Sequence, residues 1–187
     1  MKHLSALLLA ALAACRPPAS DGYVQRIDLA AGDQGPRVEA TSPDVNGAIW
    51  ASSGGPERMV FGKPGQPPYL SLACIGAGGR RLLEVTRFAE TDPKAKGMMA
   101  LVGNGHVERL KIDAEYNGRG WLWRGRYLPA DTRLEAFTGT RKLELTIPGA
   151  GTLVLEGSNA PAQVIELCRR LSAPEVTAQP SASQPPA

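Results

Sequence analysis

Residues 141–147 read Arg-Lys-Leu-Glu-Leu-Thr-Ile, and this stretch decides the fold class. Leu143, Leu145 and Ile147 alternate with polar or charged residues. Successive side chains of a strand point to opposite faces, so an apolar residue at every second position marks a half-buried strand. A period of two therefore predicts β-structure here, with one face of the strand in a core.

Short segments with strand-like patterns recur along the chain. Turn signals separate them, among them DPKAKG, GNG, YNGRG and PGAG. The connections are too short for helical crossovers, which favours antiparallel pairing. The sequence predicts a mostly β fold, either an antiparallel β-sandwich or a small barrel, with one C-terminal α-helix. The other predicted strands are PPYLSLAC (67–74), RLLEVTRF (81–88), GMMALVG (97–103), HVERLKI (106–112), GWLWRGRYL (120–128), RLEAFTG (133–139) and GTLVLEG (151–157).

The start of the chain has the layout of an export signal. Lys2 provides positive charge, residues 4–12 are almost wholly apolar, and small residues follow. This leader ends with Leu12, Ala13, Ala14 and Cys15. These four residues closely resemble the lipobox of bacterial lipoproteins.

The resemblance implies cleavage before Cys15 and attachment of acyl chains to its thiol and new amine. Several acyl chains anchor a soluble domain stably to a membrane surface. Arg16 stands where Asp would mark retention in the inner membrane of a Gram-negative cell. The resemblance therefore implies a lipid-anchored protein of the cell envelope, in the outer membrane and facing the periplasm. A chance cysteine behind an ordinary signal is the alternative.

The other two cysteines are expected to form a disulfide, because disulfides persist in an oxidising compartment. Cys74 shares a strand face with Leu72, and Cys168 shares a helix face with Val164, Leu167 and Leu171. Both sulfur atoms should therefore point towards apolar surface in one core. Two free buried thiols remain the alternative.

Composition divides the chain into four parts. Residues 1–14 are predicted to be the signal peptide, and 15–46 the lipidated cysteine with a flexible tether. Residues 47–172 form the predicted β-rich domain. Residues 173–187 are rich in Pro, Ala and Ser and lack aromatic residues, so we expect them to be disordered.

The segment NGRGWLWRGRY (117–127) holds the candidate binding residues. Alternation places its two tryptophans on one strand face, and aromatic rings beside guanidinium groups can stack on sugars, peptides or bases. A tryptophan in the core with arginines around the rim is the structural alternative. The candidates are Trp121, Trp123, Arg119, Arg124 and Arg126.

Several chemistries lack support in the sequence. The formal charge of +3 is spread along the chain, which argues against nucleic acid as a partner. After cleavage of the leader, His106 would be the one histidine, beside an Asn-Gly turn, and no metal-ligand or catalytic spacing surrounds it. We therefore predict no catalytic residue, no metal and no cofactor.

The expected function is that of a non-enzymatic envelope lipoprotein that binds a protein or glycan partner. In size and layout the chain is similar to periplasmic lysozyme inhibitors, which are small, often lipidated, disulfide-bonded β-barrels. WLWRG resembles their tryptophan-glycine strand, but the helical position of Cys168 departs from their pattern. A cell-wall-acting enzyme is the remaining alternative, with Glu84, Glu90, Asp92 or Glu108 as candidate acids.

Overall fold

A computed structural model describes residues 41–173 of the chain. The predicted leader with Cys15, the tether up to residue 40 and the tail from residue 174 lie outside the described residues. The described part is mostly β, with nine antiparallel strands in one curled, half-barrel sheet and one C-terminal helix. The prediction of a mostly β fold with a C-terminal helix is confirmed, and the single curled sheet is nearer to a barrel than to a two-sheet sandwich.

The strands follow one another with short connections. They are β1 (Ile49–Ser52), β2 (Arg58–Gly62), β3 (Leu70–Ile75), β4 (Leu82–Glu90), β5 (Lys96–Gly103), β6 (His106–Tyr116), β7 (Trp121–Tyr127), β8 (Leu143–Ile147) and β9 (Gly151–Leu155). A short 3-10 helix (Gly78–Arg80) lies between β3 and β4, and a longer one (Thr132–Phe137) lies between β7 and β8. Helix α1 (Ala160–Ser172) ends the described chain.

The order of strands in the sheet is β1-β2-β3-β4-β7-β6-β5-β8-β9. The β5–β6–β7 meander folds back so that β7 pairs with β4, while β5 also pairs with β8. Alternate residues of each strand point to the inner face, where the core lies. The largest fully buried side chains are Phe137, Leu70, Leu72, Leu83, Met99, Leu101, Leu110, Ile112, Leu134, Leu145, Ile147 and Leu153.

Helix α1 is tied to the sheet at the end where β4 begins and β7 ends, which we call the closed end. The Cys74–Cys168 disulfide is present, with the two Cα atoms 5.3 Å apart, so that prediction is confirmed. The helix buries Val164, Ile165 and Cys168 against the core, while Leu167 is only half-buried. Arg169, one of two arginines in the last turn of the helix, donates to the Pro129 carbonyl at 2.9 Å.

Residues 133–139 form no strand, so that prediction is wrong. They contribute to the 3-10 helix Thr132–Phe137, which begins where the Asp131 carboxylate accepts the Arg133 backbone N–H at 3.0 Å. Leu134, Ala136 and Phe137 are buried. These buried residues are two and then one position apart, which is not the alternation of a strand. The cap at Asp131 and the contacts with the core therefore favour a helical turn.

Candidate functional site

The five candidate binding residues do not form one site, because β7 sends them to different places. Trp121 pairs with Tyr116, and Trp123 pairs with Ala114 on the inner, core-bearing face. Arg124 and Arg126 alternate with them and lie on the outer face. Arg119 lies in the turn before the strand.

The outer-face arginines are paired with carboxylates of neighbouring strands. The Arg126 guanidinium donates to both Glu115 carboxylate oxygens, at 2.7 and 2.8 Å, and to Glu84 at 3.0 Å. Arg124 donates to Glu115 and to the Thr86 hydroxyl, each at 3.4 Å. The hydrogen bond from Arg126 holds the pKa of Glu115 below its usual range. We call Arg124, Arg126, Glu84 and Glu115 the charge ladder. Its two arginines donate to groups within the sheet, and its two carboxylates balance their charge.

Trp123 lies at the opposite end of the sheet from the disulfide, which we call the open end. Trp123 is only 4% exposed, and small neighbouring residues make room for its ring. A Cβ atom built on Gly97 would come within 3.0 Å of the indole, and the cross-strand neighbour is Ala114. The indole Nε1 is buried without a hydrogen-bond partner. An unpaired buried donor typically costs about 1–3 kcal/mol.

Two tight turns at the open end stand on either side of Trp123. In residues 92–95 the Ala95 N–H donates to the Asp92 carbonyl, Pro93 is second and Lys94 has a φ of 62°. Residues 147–150 repeat this plan, with Pro148 second and a φ of 82° at Gly149. Proline followed by a residue with positive φ is the signature of a type II turn.

A bulge in β4 turns its end towards the same place. Arg87 pairs with Trp123 and Glu90 pairs with Leu122, so β4 advances three residues while β7 advances one. Bulges of this kind redirect side chains and are frequent near functional sites. The Thr91 N–H then donates to the Trp121 carbonyl at 3.1 Å, which ties the loop after β4 to β7.

These elements enclose a cleft of about 290 Å³, the open-end cleft. Its wall combines an aromatic ring, carboxylates, a hydroxyl and an ammonium group. The side chain of Lys96 is 81% exposed, and its Nζ lies 3.4 Å from Oδ2 of Asp113. The lining residues are Glu90, Thr91, Asp92, Ala95, Lys96, Trp123, Pro148 and Gly149. A concave, mixed-polarity surface of this size can hold one small ring-sized group.

An aromatic pair extends the open end beyond this cleft. Tyr116 is 59% exposed, and its ring lies 5.8 Å from that of Trp121 at an angle of 49°. The two residues are cross-strand partners at the tip of the β6–β7 hairpin, with Arg119 in its turn. We call Tyr116 and Trp121 the aromatic shelf.

A buried arginine supports the wall between the turns. Arg87 is 3% exposed and donates to the carbonyls of Tyr69, at 3.0 Å, and Ala150, at 3.2 Å. Its Nε has no partner, and it forms no ion pair within the described residues. Burial lowers the pKa of this guanidinium. Arg87 therefore fastens β4 to the β8–β9 turn across the interior of the half-barrel.

The candidate acids are divided between sites. Glu90 and Asp92 line the open-end cleft, whereas Glu84 belongs to the outer charge ladder. Glu108 lies near the β5–β6 turn, with its carboxylate 3.9 Å from Nδ1 of His106. Within residues 41–173, no group of three or more potential metal ligands comes together. The helices of this part are all too short or too polar to cross a bilayer.

Comparisons with family models, with curated proteins and with solved structures found no match to this chain. The candidate site therefore depends on its own geometry. Sequence reasoning singled out Trp121 and Trp123 but missed Tyr116, Lys96 and the two proline turns as parts of the same end. Alternation within β6 could have identified Tyr116, since it falls on the same face as Ile112.

Proposed function

We propose that this chain is a non-enzymatic lipoprotein of the cell envelope, anchored through Cys15 in the outer membrane and facing the periplasm. The lipobox-like residues 12–15 support the anchor. The disulfide between Cys74 and Cys168 is consistent with an oxidising compartment. In this proposal the β-domain binds an envelope protein or glycan and uses no cofactor.

The observation that carries the binding role is the open-end cleft. It is concave, its walls are fastened by backbone hydrogen bonds, and the nearly buried ring of Trp123 lies in its wall beside polar groups. Preformed clefts of this composition are the usual form of a small-ligand site. The outer charge ladder is a weaker candidate, because its arginines already donate to Glu84 and Glu115.

The anchor and the binding role have separate tests. Radiolabelled palmitate should enter the chain in its host and should not enter a Cys15→Ser variant. For binding, the full chain is incubated with envelope fractions, and Ala95→Leu is used to fill the cleft. Ala51→Leu, on an exposed site of β1, is the matched control. Loss of envelope binding in Ala95→Leu alone is expected, and equal binding by all forms would overturn the cleft as the site.

A glycan-cleaving enzyme is the second candidate, because two candidate acids line one cleft. Glycosidases use a pair of carboxyl groups that flank the scissile bond. Glu90 and Asp92 are two residues apart in the chain and share the cleft with Trp123. Release of reducing ends from cell-wall glycan, abolished by Glu90→Gln or Asp92→Asn, would replace the binding proposal. A lysozyme turbidity assay tests the inhibitor alternative in the same preparation.

A further inference from the structure

We propose that the open-end cleft and the aromatic shelf form one groove for a linear, uncharged glycan, with one sugar ring in the cleft and the next on the shelf. This inference rests on the proposed function, since it names the ligand of the same site. It adds Tyr116 and Trp121 as a second subsite.

The two parts are joined by the backbone. Thr91 lines the cleft, and its N–H donates to the carbonyl of Trp121 in the shelf. Trp121 and Trp123 share a strand face and are two residues apart, about 6.6 Å at ~3.3 Å per residue. This spacing is close to the length of one ring in a β-linked glycan, so adjacent rings can occupy the two parts.

The chemistry of the groove suits a sugar. The carbon-bound hydrogens of a pyranose ring pack on aromatic surfaces, and its hydroxyl groups donate to carboxylates and exchange hydrogen bonds with hydroxyls. Tyr116 gives the shelf a largely exposed aromatic ring, whereas Glu90 and Thr91 bring a carboxylate and a hydroxyl to the lining of the cleft. The cleft volume of about 290 Å³ is sufficient for one sugar ring.

Charge and backbone pairing disfavour other polymers. The Glu90 carboxylate repels a polyanion, and the Lys96 ammonium group already lies 3.4 Å from the Asp113 carboxylate. A peptide that added as a strand would need unpaired backbone groups along the groove. The Thr91 N–H, the Trp121 carbonyl and the Ala95 carbonyl are all bonded within the domain.

The test measures how affinity depends on glycan length. The full chain is purified in a detergent without a sugar headgroup and titrated calorimetrically with N-acetylglucosamine and with its β-linked dimer and trimer. We expect about a tenfold gain in affinity from one ring to two, as a second subsite requires. Tryptophan emission should change further with the dimer, because the indole of Trp121 is part of the shelf that the second ring would contact.

Two variants locate the second ring. Tyr116→Ala should reduce the affinity of the dimer to that of the single ring, and Val107→Ala should have no effect. Val107 is also exposed, at 70%, but lies beside the β5–β6 turn at the closed end. An affinity that does not depend on length, or a Tyr116→Ala chain that binds the dimer normally, would overturn the inference.

Competition separates this inference from the proposed function. If the chain binds an envelope fraction and the trimer displaces it, both are supported. If it binds an envelope fraction that the trimer cannot displace, the glycan inference fails while the binding role stands. If no envelope fraction and no glycan binds, both fail.

Discussion

The two ends of the half-barrel differ in how they are covered. At the closed end, α1 and the 3-10 helix Thr132–Phe137 lie over the sheet, and the Cys74–Cys168 disulfide joins helix to strand. At the open end, two type II turns stand apart and leave the cleft between them. The comparison suggests that covalent and helical cover at one end stabilises the fold, which leaves the other end available for a ligand.

Unpaired buried nitrogens occur at both ends, so they do not by themselves mark the site. Trp50 also has an Nε1 without a partner, but the cavity that it lines holds only about 10 Å³. That volume is roughly one water molecule. The cavity beside Trp123 is far larger, and this difference distinguishes the open-end cleft from a packing defect.

Removing the disulfide should have the largest effect on stability. Cys74 and Cys168 are 94 positions apart, and closing a loop of that size is worth about 4–5 kcal/mol in the chain-entropy account. We expect the Cys74→Ser, Cys168→Ser double variant to lose about this free energy of unfolding in urea titrations. Wild type in reductant is the matched control. A loss below about 1 kcal/mol would contradict the assignment of stability to the closed end.

Removing the Asn104 side chain should have the next largest effect. Its amide donates to the Ala136 carbonyl at 2.9 Å, and its carbonyl accepts the Arg141 N–H at 2.8 Å. Asn104→Ala should lose about 2 kcal/mol, at ~1 kcal/mol for each hydrogen bond. Its φ of 54° adds a penalty that Asn104→Gly avoids. In chemical denaturation, wild type should be the most stable, Asn104→Gly the next and Asn104→Ala the least stable. A lower stability of Asn104→Gly than of Asn104→Ala would contradict this account.

The charge ladder should contribute less, and its contribution depends on pH. The folded-state pKa of Glu115 is lowered, mainly by Arg126. Its stabilisation is therefore present above the unfolded pKa of about 4.3 and is lost as pH falls through the folded value. Glu115→Gln should cost less than about 1 kcal/mol at pH 7, because the pair is partly exposed.

The same variant should converge with wild type in acid. Unfolding measured from pH 7 down to pH 3 should show a stability difference that shrinks as Glu115 takes up its proton. Added salt at pH 7 should reduce the difference as well, since salt screens exposed pairs. A difference that stays constant with pH would mean that Arg126 does not stabilise the ionised carboxylate.

The smallest effect on stability is expected at the aromatic shelf. Tyr116 is mostly exposed, and its hydroxyl donates only to the nearby Gly118 carbonyl, at 3.1 Å. Tyr116→Ala should change the free energy of unfolding by less than about 0.5 kcal/mol, as at most surface positions. A thermal melt indistinguishable from that of wild type would support the view that the open end adds little to stability. A loss of unfolding free energy above about 1 kcal/mol would show that Tyr116 packs as part of the core.

The sequence was sufficient to predict strands β3 to β9, because alternation in segments such as 143–147 depends only on local chemistry. It also paired Cys74 with Cys168 from their apolar faces. It did not predict β1 and β2, whose short segments alternate weakly. A strand was wrongly predicted at residues 133–139 because their apolar content resembles that of a strand. The Asp131 cap instead starts a helical turn.

The site was less predictable than the fold. Alternation put Trp121 and Trp123 on one face of β7 but could not tell that this face is the inner one. The approach of Glu90 to Trp123 depends on the bulge after Arg87, which has no local sequence signal. The turn at Pro148 comes from a hairpin on the far side of the sheet, so only long-range pairing brings it to the cleft.

Gly97 has a consequence for how such a domain can diversify. Any residue larger than glycine at position 97 would place its Cβ atom 3.0 Å from the indole of Trp123, which is a tight contact. A single methyl group there would press on the ring, and the ring would have to shift by a few tenths of an ångström. The residue at position 97 therefore adjusts the position of the Trp123 ring in the wall of the cleft, at the end of the sheet away from the disulfide.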